Sequence, residues 1–150
     1  MEYFAFEEDF VEKNIRCIPM IVRFKMDAVG IKLRLADWSK FHPDERLALS
    51  TMSCGYREYL VGLIEKYTRS EVETLTIEEN PAWRIDAVVP DLLLEKALEF
   101  GWSVSLYQWQ CLTDLQRFAL LKLCRPGHEN KNFPRAMREF GLGVSEEVFG

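Results

Sequence analysis

The densest run of side chains able to do chemistry is Arg125-Pro126-Gly127-His128-Glu129-Asn130-Lys131-Asn132-Phe133. It gathers cations, an acid and amides between two helical stretches. A helix opening at Pro134 would turn its unpaired amides toward a negative group. Arg125 and Lys131 would add positive charge, joined by Arg117 from the preceding helix and Arg135 from the next. His128 belongs to the residue type that titrates near neutral pH. The candidate ligand- or partner-binding set is Arg117, Arg125, His128, Glu129, Asn130, Lys131 and Asn132. The same loop admits a purely structural reading, in which Asn132 caps the next helix, Glu129 pairs with a nearby arginine and His128 bonds a carbonyl.

No catalytic or metal-ligating residue can be nominated from spacing. There is no CxxC, and His42 and His128 lie 86 positions apart, so a zinc cluster has no support. Neither common Gly-rich phosphate loop is present, and there is no GxSxG elbow. An enzyme would have to draw on two histidines and four cysteines. An interaction protein needs none of these, so it is the favoured class, and no cofactor is expected. Cys17 sits beside Arg16, which would lower its pKa if the thiol were exposed. Its isoleucine neighbours point instead to a buried structural thiol. Cys111 and Cys124 read as packing residues. Capture of a metal by Cys17 and Cys54 together would need the fold to join them.

The chain around these residues has ordinary globular composition: 150 residues, 48% apolar and 29% charged. That length favours one domain, residues 1–150, able to bury roughly 68–70% of its unfolded surface. No apolar run approaches the ~18 residues that cross a bilayer. The acidic start, with Glu2, Glu7, Glu8 and Asp9, is unlike a secretory signal. Four dispersed cysteines suit reduced thiols. A cytoplasmic protein is expected. The net charge of −5 and the lack of a nucleic-acid motif argue against a nucleic-acid partner. Charge is uneven: residues 14–40 hold six bases and two acids, residues 65–99 nine acids and four bases, and residues 108–138 six bases and two acids. This reads as a patchwork of solvated helix faces, or as basic segments joined into an anion-accepting surface.

The pattern predicts a mainly α fold of about seven helices with little or no sheet. Ser105 and Gln108 form a capping box. Trp109, Leu112, Leu115, Ala119, Leu120 and Leu123 then recur at helical spacing, predicting one helix over 106–125 that Pro126-Gly127 stops. Pro43 opens a helix to about Ser53, with Asp44 and Glu45 at its positive end. Further helices are expected over 19–29 with Val22, Met26 and Val29 inward, and over 56–67. Another follows Pro90 with Leu93, Leu94, Ala97 and Leu98 inward and Gly101 at its end, and a short one runs from Pro134 to Gly141. Ile31, Leu33 and Leu35 alternate with bases and read as extended, with no evident partner strand. Residues 69–86 read as a long surface connection, which Trp83 anchors or offers to a partner.

Three stretches together carry a family character. They are Arg16-Cys17-Ile18-Pro19-Met20 with Lys25-Met26-Asp27 and Gly30-Ile31-Lys32-Leu33; Gln116-Arg117-Phe118-Ala119-Leu120; and His128-Glu129-Asn130-Lys131-Asn132-Phe133. Trp38, Glu45-Arg46, Pro81-Ala82-Trp83 and Gln108-Trp109 follow in order. The combination resembles the small, largely cyanobacterial family of nitrate reductase-associated proteins. The resemblance implies a place in nitrate assimilation, beside nitrate reductase and molybdenum-cofactor genes, and brings no catalytic residues with it. The expected role is an accessory protein that binds nitrate reductase or its molybdenum-cofactor maturation machinery. The alternative is a protein or enzyme binding nitrate, nitrite or a phosphorylated pterin, with Arg117, Arg125, His128 and Lys131 converging on a pocket.

Overall fold

A computed structural model describes residues 3–7, 17–69, 71–125 and 132–142. The fold is mainly α, with eight α-helices and one two-stranded sheet among the described residues. The chain divides into two compact units, Met1–Glu78 and Glu79–Gly150.

The first unit is organised around α1 (Met20–Val29), which buries Met20, Ile21, Val22 and Met26. Pro19 precedes it with an extended backbone, so its fixed φ costs the helix nothing. A short 3-10 turn, Ala5–Glu7, brings an acid to this helix start. Glu7 is 1% exposed, and its carboxylate accepts from the Met20 amide at 2.9 Å and the Phe4 amide at 3.0 Å. A negative group there complements the helix dipole. Gly30 ends the helix at φ 71°, the left-handed position expected of a C-cap glycine.

The alternating segment after Gly30 has a partner after all. β1 (Ile31–Lys32) pairs antiparallel with β2 (Glu73–Thr74), Ile31 opposite Thr74. Both β2 residues are exposed polar ones, so no apolar alternation marked this strand inside the segment read as a surface connection. Leu35 is not extended; it starts the short α2 (Leu35–Trp38). α3 (Pro43–Thr51) begins as expected and ends slightly earlier than Ser53. His42 caps it, Nδ1 accepting from the Asp44 amide at 3.1 Å while Glu45 accepts from the His42 amide at 2.9 Å. α4 (Tyr56–Thr68) buries Tyr56, Leu60, Leu63 and Ile64. α1 packs on α3 and α4, and α2 packs on α4. Arg46, also buried, donates to the carbonyls of Trp38 (3.2 Å) and Ser39 (2.8 Å), tying the end of α2 to α3.

The second unit holds α5 (Asp91–Leu98), α6 (Leu106–Gln110), α7 (Asp114–Leu123) and α8 (Asn132–Glu139). α7 packs against α5 and α8. Trp109, Leu120, Leu93, Phe133 and Met137 are fully buried. Each such side chain contributes about 1.5–3 kcal/mol relative to exposure.

Two expectations fail here. The helix predicted over 106–125 is two helices, because Thr113 and Gln116 form a second capping box behind Cys111 and Leu112. The apolar spacing survives the break, since Trp109, Leu112, Leu115, Ala119, Leu120 and Leu123 are all buried. In α5 only Leu93 and Ala97 are buried, and Leu94 and Leu98 are exposed. Smaller differences follow the same logic. Val29 is half-buried, and the last helix starts at Asn132 instead of Pro134. The glycines at 101 and 141 do lie at helix ends, with φ 77° and 78°.

Candidate functional site

Among the described candidate residues, Arg117 lies on α7, Arg125 just past its end and Asn132 at the described start of α8. The first turn of α7 is fixed by the Thr113–Gln116 box, which aims Arg117 inward. Arg117 is 7% exposed. One guanidinium nitrogen donates to the Leu112 carbonyl at 2.8 Å and lies 3.6 Å from Asp114 Oδ1. The guanidinium also sits over the Trp109 ring, 5.7 Å from its centroid. Its Nε is buried without a hydrogen-bond partner. Arg117 therefore braces the α6–α7 junction, closing the carbonyl left open where α6 stops.

Trp109 extends this brace. Its Nε1 donates to the Ile85 carbonyl at 2.9 Å, and Gln110 donates to the Asp86 carbonyl at 3.1 Å. Trp83 meets Phe118 edge-on, ring centres 6.4 Å apart, which matches its expected role as an anchor for the 81–86 segment. Lys122 lies over Phe118 at 5.4 Å and Arg84 over Trp83 at 5.1 Å.

Arg125 lies just past the end of α7 and is exposed, where a cation complements the negative end of the helix. His128, Glu129, Asn130 and Lys131 lie outside the described residues. Asn132 opens the described part of α8, and its side-chain oxygen is buried without a hydrogen-bond partner. That oxygen does not make the capping bond that the structural reading assigned to it. Phe133 behind it stacks on Phe100 at 5.7 Å, Phe100 stacks on Trp102 at 5.5 Å, and Arg138 covers the Trp102 ring at 5.6 Å. This aromatic run was not singled out from sequence. The Phe100-Gly101-Trp102 spacing around a helix-ending glycine was its only local trace.

Of the two cysteines read as packing residues, Cys124 is packed and Cys111 is not. Cys124 is buried, and burial pushes its thiol up to about 12, against the weaker pull of Lys96. Cys111 is exposed instead of packed, because it sits at the break between α6 and α7. Cys17 is half-buried and Cys54 exposed. Among the described residues, no three of His, Cys, Asp or Glu converge as a metal site. None of their helices is long and apolar enough to cross a membrane.

The family described as conserved nitrate reductase-associated protein matches residues 3–140. The chain belongs to that family. No curated protein and no solved structure matches it. The stretches that carry the family resemblance now have physical tasks. Gln116 closes a capping box, Arg117 braces Trp109, and Phe118 meets Trp83. Gly30-Ile31 makes the turn from α1 into β1. These are architectural roles.

Proposed function

We propose that this chain is a cytoplasmic accessory protein that binds nitrate reductase or its molybdenum-cofactor maturation machinery. The family match over residues 3–140 is the observation that carries this reading. The contact surface includes the segment from Arg125 to Asn132, with exposed Arg125 at its entrance. The internal commitment of Arg117 supports a surface-binding role over a pocket formed by Arg117, Arg125, His128 and Lys131.

The test is affinity capture of the tagged full chain from native cells grown on nitrate, with mass spectrometry of what is retained. Near-stoichiometric nitrate reductase, or a protein that inserts its cofactor, is the expected result. Recovery of the chain alone overturns the reading, and calorimetry with nitrate, nitrite and a phosphorylated pterin then becomes the next measurement. Replacement of Arg125 and Lys131 by alanine weakens capture if the segment is a contact. Unchanged capture removes it from the interface.

A further inference from the structure

α5 carries a wider apolar stripe than the described residues of its unit cover. Leu93 and Ala97 are each 0% exposed, and the helix packs on α7 through this side. Leu94 and Leu98 stand next to them around the helix, 37% and 73% exposed. A single exposed leucine is ordinary. Two of them at i and i+4 form a continuous ridge, about 6 Å along the axis. That spacing is the one by which an apolar helix face meets a second helix.

The charge beside this ridge is one-sided. Asp91 precedes Leu94 by three positions, and Glu95 precedes Leu98 by three, so each acid borders a leucine on the helix surface. Both acids are exposed, and neither makes an ion pair among the described residues. Glu99 differs, since Lys96 lies 3.5 Å from it. The part of its own unit that leads to and includes the ridge is acidic as well, with five acids against two bases over residues 79–99. An apolar ridge with unneutralised carboxylates along its edge is complementary to a helix with a leucine-type stripe flanked by lysine or arginine.

We infer that the outer edge of α5, Leu94 and Leu98 bordered by Asp91 and Glu95, docks a basic amphipathic helix of a partner protein. The inference rests on the accessory-protein reading and adds the surface and the kind of segment it receives. The leucines supply the desolvated centre, where truncation is most damaging in helix-in-groove contacts. The acids fix which helix is accepted and speed encounter, so binding weakens as salt rises.

The test uses the full chain and two synthetic helices of about 18 residues, long enough to be helical alone. Both carry leucine at the core-facing positions; one has lysine elsewhere and the other glutamate. Fluorescence anisotropy reads binding. The lysine helix binds the native chain and the glutamate helix does not. The variant Leu94→Asp/Leu98→Asp weakens the lysine helix by about tenfold or more. The variant Asp91→Asn/Glu95→Lys does the same and gains affinity for the glutamate helix. The variant Glu58→Gln/Glu65→Lys makes the same change in net charge on α4 and leaves binding as in the native chain. Circular dichroism melts confirm that each variant is folded. No binding of the lysine helix, or equal weakening by the α4 variant, overturns the inference. Affinity capture from nitrate-grown cells then separates the two claims. If the native chain retains neither nitrate reductase nor a cofactor protein, the accessory reading falls while the peptide result stands. If capture succeeds and the α5 variants do not reduce it, this surface is overturned as the docking site.

Discussion

The Thr113 hydroxyl accepts from the Gln116 amide at 3.1 Å, and the Gln116 side chain accepts from the Thr113 amide at 2.9 Å. This reciprocal pair is what breaks the stretch 106–125 into two helices. A capping box satisfies two backbone amides that would otherwise be left open at a helix start. It also fixes the sign of a substitution. In one continuous helix Thr113→Ala would stabilise, since alanine is the better helix former by up to ~0.7 kcal/mol. At a cap it destabilises by about 1 kcal/mol, and Thr113→Ser retains most of the native value. Urea denaturation of the three proteins gives the sign directly from the midpoints.

Gly30 is held in a different way. Its φ is 71°, and a Cβ there would lie 2.9 Å from Ile77 Cγ1 and 2.9 Å from the Leu75 carbonyl oxygen. The Leu75 amide donates to the Gly30 carbonyl at 2.8 Å, so the two backbones cannot simply part. Gly101 has φ 77° with nothing within 4 Å of a Cβ. Gly101→Ala thus measures left-handed strain alone, about 1–2 kcal/mol. Gly30→Ala adds overpacking, typically a further ~1–3 kcal/mol. Ile77→Ala in the same chain does not rescue it, because the backbone oxygen remains. Thermal melts of the four proteins show the order.

What the sequence made legible was whatever its local chemistry announces. Pro43 with Asp44 and Glu45, the Ser105–Gln108 box and Gly101 mark helix ends by residue type, and the helices lie where those signals place them. β2 was hidden because Glu73 and Thr74 are exposed on both faces, so pairing with Ile31 depends on backbone bonds that leave no apolar trace. Leu94 and Leu98 share helical spacing with buried Leu93 and Ala97, and only the placement of α7 decides which side is covered. Arg117 looked like a ligand group because charge predicts exposure. Its burial follows from the α6–α7 break, which turned an open carbonyl toward it. His128 and Lys131 lie outside the described residues.

Glu45 gives the first unit a defined acid sensitivity. Burial pushes its carboxyl up, but the Tyr67 hydroxyl at 2.7 Å, the His42 amide at 2.9 Å and Lys66 at 3.5 Å together outweigh it and hold it below the ordinary value of 4.5. A lowered folded-state pKa means that the unfolded chain binds the proton first. The contribution is fully present above the ordinary carboxylate range and is lost as pH falls through the lowered value. Glu45→Gln removes that part of the acid dependence, and Tyr67→Phe reduces it. Denaturation midpoints measured from neutral pH down through that range show a shallower fall for Glu45→Gln than for the native chain. Parallel curves would assign the acid sensitivity elsewhere.

Arg117 and Arg125 carry the same charge and make opposite predictions. Arg117 is buried against Leu112, Asp114 and Trp109, whereas Arg125 is exposed beyond the end of α7. Arg117→Met keeps the length of the stem and removes the charged donor, leaving the Leu112 carbonyl buried without its partner. Loss of a hydrogen bond from a charged group costs about 1.5–3 kcal/mol. Arg117→Lys keeps the charge but not the planar group over Trp109, so it recovers only part of the loss. Arg125→Ala changes stability by no more than ~0.5 kcal/mol, the usual range for an exposed position. Partner capture reads the other way: Arg125→Ala weakens it at native stability. Arg117→Met leaves capture intact at temperatures where the variant is folded. A stable Arg117→Met protein with lost capture would move Arg117 from the brace to the binding surface.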